Sequence, residues 1–171
     1  PDRDTHRKYG KGKDLKQWRR DDITAIARRL HAEVKQLKPW VKVSSSPVGK
    51  FKDTNRYSSF GWNAYETVYQ DAQGWLKEGI HDALFPMMYF KDNHFYPFAL
   101  DWKENDNGRW VVPGLGIYFL SPKEQDWPID EVSRQLHFTR QTGLAGHAYF
   151  RNRFLLDNVK GIFDELKNDF Y

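Results

Sequence analysis

The chain has 171 residues, enough for one domain with a real core. It contains no cysteine, which excludes disulfides and thiolate metal sites. Its net charge of +4 is uneven, because residues 1–42 hold 13 Lys or Arg against 6 Asp or Glu and the rest is net acidic.

In chain order, residues 1–14 are polar and glycine-spaced (Tyr9-Gly10-Lys11-Gly12) and read as a loop. From Leu15 to Leu37 the apolar set Ile23, Ile26, Ala27, Leu30, Val34 and Leu37 follows helical spacing, and Pro39 stops the helix. Val41–Ser46 reads as a first strand, followed by an irregular Ser-, Lys- and Asn-rich segment from Gly49 to Trp62. Helical segments are expected at Ala64–Tyr69 and Asp71–Lys77, with Gly79 suited to a left-handed helix end.

Ala83–Tyr89 is a near-continuous apolar run, as for a strand covered on both faces. Lys91–Gly108 reads as an aromatic connection, part loop and part short helix. Val111–Phe119 is expected as a third strand, and Ile129–Thr142 as a helix ended by Gly143. A fourth strand is expected at Leu144–Phe150 and a final helix over Leu155–Asn168. No repeat and no linker divides the chain, so residues 1–171 read as a single domain.

Strands alternating with helices predict an α/β fold with a parallel sheet and crossover helices. An eight-stranded barrel needs roughly 250 residues, so four parallel strands amount to half of a TIM (β/α)8 barrel. Ligands meet such sheets at the carboxyl ends of the strands. The basic first helix lacks any nucleic-acid-binding motif and reads as a solvated face. No apolar run is long enough to span a membrane. Aromatic residues make up 16% of the chain, with 7 Trp, a supply suited to stacking on sugar faces as well as to a core.

The runs Trp18-Arg19-Arg20-Asp21-Asp22-Ile23, Lys38-Pro39-Trp40-Val41-Lys42-Val43 and Ser46-Pro47-Val48-Gly49 resemble the family-10-like glycosyl hydrolases of bacteria. The resemblance continues through Asp71–Ile80 and Phe85–Phe90, and ends in Gly143-Leu144-Ala145-Gly146-His147-Ala148-Tyr149-Phe150. It implies the C-terminal half of the barrel, strands five to eight, in an exported (periplasmic, outer-membrane-associated or secreted) bacterial parent. In the family the preceding strand ends in an acidic His-Phe-Asp-Asp-type rim, and the match begins just after that point; the chain is expected either to be a piece of a longer enzyme or to stand alone as a half-barrel. Many relatives read Pro-Gln-Ile-Tyr-Trp on strand six, where this chain reads Pro86-Met87-Met88-Tyr89-Phe90.

Glycoside hydrolysis needs two facing carboxyl groups, and none of the four predicted strand tips carries one. Asp53, Asp92, Asp101 and Glu124 fall a few residues downstream, in the predicted loops; Asp53 and Asp92 are the catalytic candidates. Asp82 precedes the second strand and is expected to orient backbone at the opposite end. The tips offer sugar-binding side chains instead: Ser46, Tyr89, Tyr118, His147, Tyr149 and Arg151, with His94 in the adjoining aromatic loop. Strand alternation leaves open whether His147 and Tyr149 face the mouth or the helices. Gly114 and Gly116 are expected to relieve crowding inside the barrel. His6, His31, His81 and His137 show no metal spacing, and no metal or cofactor is expected. The reading is therefore the substrate-binding half of a glycoside hydrolase acting on a bacterial or host glycan, inactive by itself. The alternative is a non-catalytic carbohydrate-binding or self-assembling half-barrel. A half-barrel also needs a partner, either a second copy or the missing half.

Overall fold

The structure is a computed structural model and describes residues 2–170. Two helices open it, α1 (Arg3–Tyr9) and α2 (Leu15–Leu37). Then follow β1 (Ser44–Ser45), α3 (Ala72–Glu78), β2 (Ala83–Leu84), β3 (Met87–Met88) and α4 (Tyr96–Glu104). The last part holds β4 (Trp110–Val111), β5 (Gly114–Leu115), α5 (Ile129–Gln141), β6 (Ala148–Tyr149), α6 (Asn152–Leu156) and α7 (Ile162–Glu165). Short 3₁₀ turns lie at Asp92–His94, Ile117–Leu120 and Val159–Gly161, and a wider π turn at Leu166–Phe170 closes the described chain.

The strands form two three-stranded parallel sheets, β1-β2-β4 and β3-β5-β6, rather than one sheet of four long strands. The cause is chemical. Ser44 pairs with Ala83 and Ala83 with Trp110, while beyond the break Val48 bridges Met87 and Met87 pairs with Gly114. The register is thus the same on both sides of the break. Continued through it, this register aligns Pro47, Pro86 and Pro113 in one row across the sheet. A proline has no N–H, so each removes one ladder donor. Their carbonyls still accept, from the N–H groups of Met87 (2.9 Å), Gly114 (2.8 Å) and Ala148 (2.9 Å) respectively. The Ser46 hydroxyl donates to the Phe85 carbonyl at 2.6 Å, filling the acceptor that a residue-47 N–H would serve in a parallel ladder.

One face of this sheet meets the helices. Leu84, Met88, Val111 and Leu115 are fully buried there against Phe98, Trp102 and Leu136. The opposite face is only half covered: Phe85, Met87, Val112 and Ala148 alternate with those core residues and are partly exposed, and Ser44 and Ser46 are exposed. A two-residue side-chain period on one-sided packing gives this pattern.

Several expected boundaries are corrected. Residues 3–9 are helical rather than loop, because polar contacts hold them: Arg19 pairs with Asp2 (2.6 Å), and His6 packs against Trp18 (5.3 Å between ring centroids). Ala64–Tyr69 forms turns, and regular helix begins only at Ala72, where Asp71 accepts from the Gly74 N–H. The expected third strand stops at Leu115 and tightens into the 3₁₀ turn, and the fourth shrinks to Ala148–Tyr149. The final helix breaks because Asn158, Lys160 and Gly161 all take left-handed backbone (φ 45°, 53° and 81°).

At the amino end of the strands, Asp82 does what its position suggests. Its carboxylate accepts from the Val43 N–H (2.8 Å) and from Lys35 (2.9 Å). Burial pushes its pKa up, but these donors outweigh it and hold the carboxyl below its ordinary value. Beside it His81 is 3% exposed and stacked on Trp75 at 5.1 Å, with Nδ1 buried. Burial, and secondarily the charge of His31, lowers its pKa from 6.5. A histidine whose folded pKa lies below its unfolded one costs stability as pH falls through the unfolded value. Urea midpoints should therefore drop below about pH 6.5, this site contributing at most about 1.4 kcal/mol per pH unit. His81→Phe should flatten that slope, and an equal slope in wild type and variant would refute the assignment.

Candidate functional site

The carboxyl ends of the strands carry an aromatic cluster. Tyr89 follows β3, Tyr118 sits in the turn after β5, and Phe150 follows β6. Tyr89 stacks on Phe150 (5.0 Å, 22°), while Tyr118 stands edge-on to both Tyr89 (5.8 Å) and Phe150 (5.7 Å). Gly114 of β5 and Gly116 just after it make this possible. A Cβ at Gly114 would lie 3.3 Å from the Tyr89 ring, and one at Gly116 would lie 3.2 Å from the Tyr89 Cβ. Gly114 and Gly116 thus leave room for Tyr89 to lie across the strand. Burial raises the pKa of both tyrosines, so both phenols stay protonated and able to donate at neutral pH. Arg151 lies over the Phe154 ring (5.8 Å), which in turn approaches Tyr118 (6.5 Å).

The other expected residues fall elsewhere. His147 and Tyr149 lie in register with the helix-facing row of the neighbouring strand, and Tyr149 packs against the core. The two touch each other, His147 Nδ1 to Tyr149 Oη at 3.2 Å, and burial lowers the His147 pKa. Ser46 shares the half-covered face, but its hydroxyl is engaged by Phe85. His94 lies in the 3₁₀ turn beside a separate cavity. Sequence reasoning misses Phe150, although its separation of two residues from Ala148, in register with Gly114, puts it on the Tyr89 face.

Of the candidate carboxylates only Glu124 acts on the aromatic cluster, its charge adding to the rise in the Tyr118 pKa. Asp53 anchors its own loop: its carboxylate pairs with Lys50 and accepts from the Ser59 N–H, and the Lys50 ammonium holds its pKa down. An ionised, already engaged carboxylate is a poor proton donor. Asp92 is exposed at the head of its turn, with φ 53°. Asp101 is not in a loop. It lies on α4, where burial raises its pKa and Gln73 of α3 donates to it at 2.8 Å. Glu124 is exposed in the turn before Trp127. Among the described residues no group of acids and histidines is arranged to hold a metal, and no helix is long and apolar enough to cross a membrane.

The arrangement offers flat apolar rings and phenolic donors at the carboxyl ends of the strands, without an acid at any strand tip. That chemistry suits a sugar face. Residues 1–119 match the family described as glycosyl hydrolase-like 10, which is more than half of the chain. The chain belongs to the glycosyl hydrolase-like 10 family. Relatives within reach include the glycosyl hydrolase YngK of Bacillus subtilis (strain 168), 28% identical over 187 residues that cover 100% of this chain and 37% of that protein. The glycosyl hydrolase DigH of Escherichia coli (strain K12) is 29% identical over 179 residues, covering 90% of this chain and 39% of its own length. The chain thus spans less than two-fifths of the curated relatives it matches.

Proposed function

We propose that this chain supplies the substrate-binding half of a (β/α)8-barrel mouth in a glycoside hydrolase, and that the acids for bond cleavage come from outside its four strand tips. The observation that carries the reading is the Tyr89–Tyr118–Phe150 cluster laid over Gly114 and Gly116 at the carboxyl end of parallel strands. A pyranose presents a flat C–H face and a rim of hydroxyls. The rings meet the face, and the two phenols meet the rim. On this reading the half-covered sheet face is the barrel interior, closed in the whole protein by further strands.

Titration calorimetry with chito-, cello-, xylo- and malto-tetraose tests the reading. The chain should bind at least one of them, and Phe150→Ala and Tyr118→Ala should each weaken that binding about tenfold, as for a central aromatic contact. Tyr118→Phe keeps the ring and should retain most of the affinity. The chain alone should not turn over p-nitrophenyl glycosides, because the loss of an acid or nucleophile removes several orders of magnitude of rate. Absence of binding to all four sugars, or equal binding by wild type and both alanine variants, would overturn the reading.

A further inference from the structure

A second aromatic feature sits on the loop after β1 and is separate from the Tyr89 cluster. Lys50, Ser59, Phe60, Trp62, Phe90 and His94 line a cavity of about 50 Å³. Phe60 is 88% exposed and Trp62 71% exposed, on either side of Gly61 with its φ of 98°. Both rings border the same cavity, so they form one exposed apolar patch rather than scattered single residues. The loop that displays them is pinned from beneath. Lys50, 3% exposed, donates to the Ser59 carbonyl and hydroxyl and pairs with Asp53, and Thr54 binds the Tyr57 carbonyl at 3.1 Å. The rings are therefore held out by a built turn.

The chemistry of the cavity narrows what it takes. Its one ammonium is already matched by Asp53 and covered by Ser59 and the Phe98 ring (5.3 Å), so no free charge remains to select an ion. Phe90 and Phe98 supply apolar walls. His94, edge-on to Phe60 at 5.4 Å, keeps its Nε2 buried with no hydrogen-bond partner among the described residues. A buried polar atom without a partner is costly. A ligand hydroxyl entering beside Phe60 would supply that partner. Flat rings, one unused nitrogen and no net charge together fit a neutral pyranose unit, with its C–H face on Trp62 and a hydroxyl toward His94.

We infer that Trp62, Phe60 and His94 form a second sugar subsite, which holds a glycan unit remote from the one on the Tyr89–Tyr118–Phe150 cluster. The inference rests on the reading of that cluster as the sugar mouth. Calorimetry with the di- and hexasaccharides of the best-bound series separates the two. Trp62→Ala and Phe60→Ala change exposed residues and leave the core intact. The Trp62 variant should lower hexasaccharide affinity about tenfold and leave disaccharide affinity unchanged, with His94→Ala acting in the same direction. Tyr118→Ala should weaken both sugars. If Trp62→Ala and His94→Ala bind the hexasaccharide as wild type does while Tyr118→Ala does not, the second subsite is refuted and the mouth stands. If wild type binds neither sugar, both fall together.

Discussion

Replacing Trp102 by alanine should cost about 3–5 kcal/mol, the range for deleting a fully buried aromatic side chain. That is a large share of the roughly 5–15 kcal/mol that holds a domain together. Trp102 is 0% exposed, meets Phe51 edge-on at 5.7 Å, and sends its indole N–H to the Gly49 carbonyl. It therefore joins α4 to the start of the loop that follows β1. Urea unfolding followed by far-ultraviolet dichroism reads the loss. Trp102→Phe keeps a buried ring but removes the donor and part of the indole volume, so its cost should be smaller, about 1–3 kcal/mol. An alanine variant within about 1 kcal/mol of wild type would mean that α4 is not anchored through this ring.

Gly49→Ala should be nearly as damaging, at about 3 kcal/mol. A Cβ at this position would lie 2.3 Å from the Met87 carbonyl oxygen and 2.7 Å from its carbon, both backbone atoms, and 2.8 Å from the Phe90 ring. Backbone cannot swing aside as a side chain does, so β3 or the loop must move. The same movement shifts the acceptor used by Trp102. Gly49→Ala combined with Trp102→Phe should therefore cost less than the two separate losses added. Additivity within about 0.3 kcal/mol would show that the positions are uncoupled.

Much of the architecture was legible in the residues. The span of α2, the Gly79 and Gly143 helix ends and the parallel order of the extended segments all follow from local pattern, whereas the apolar set of α2 does not mark its buried face: Ile26, Leu30 and Leu37 are exposed, and Arg20, Thr24 and Ala27 are buried. What was not legible has physical causes. The strands are shorter than their apolar runs because Pro86 and Pro113 each delete a donor in mid-run. Helix α1 escaped because no residue of it is buried, so it leaves no apolar stripe to find. At the candidate site, Tyr89 and Tyr118 were legible as strand-tip residues. His147 and Tyr149 depended on which way a two-residue period points, and only the pairing of β6 with β5 resolves it. Phe60 and Trp62 lay in a segment without periodicity, so nothing local distinguished displayed rings from buried ones.

The aligned prolines have a consequence before the chain folds. Ala83–Phe90 is uncharged and apolar, and but for Pro86 it would match the composition of a segment that stacks into fibrils. Parallel sheets form slowly because their partners are distant in sequence, so such a segment stays uncovered during folding. Pro86 in its centre cannot donate to an incoming strand, and Pro113 does the same for Trp110–Leu115. In the finished sheet these residues look like gaps in a ladder. In the nascent chain they are gatekeepers: the sticky runs can find their own neighbours, while stacking against copies of themselves is interrupted.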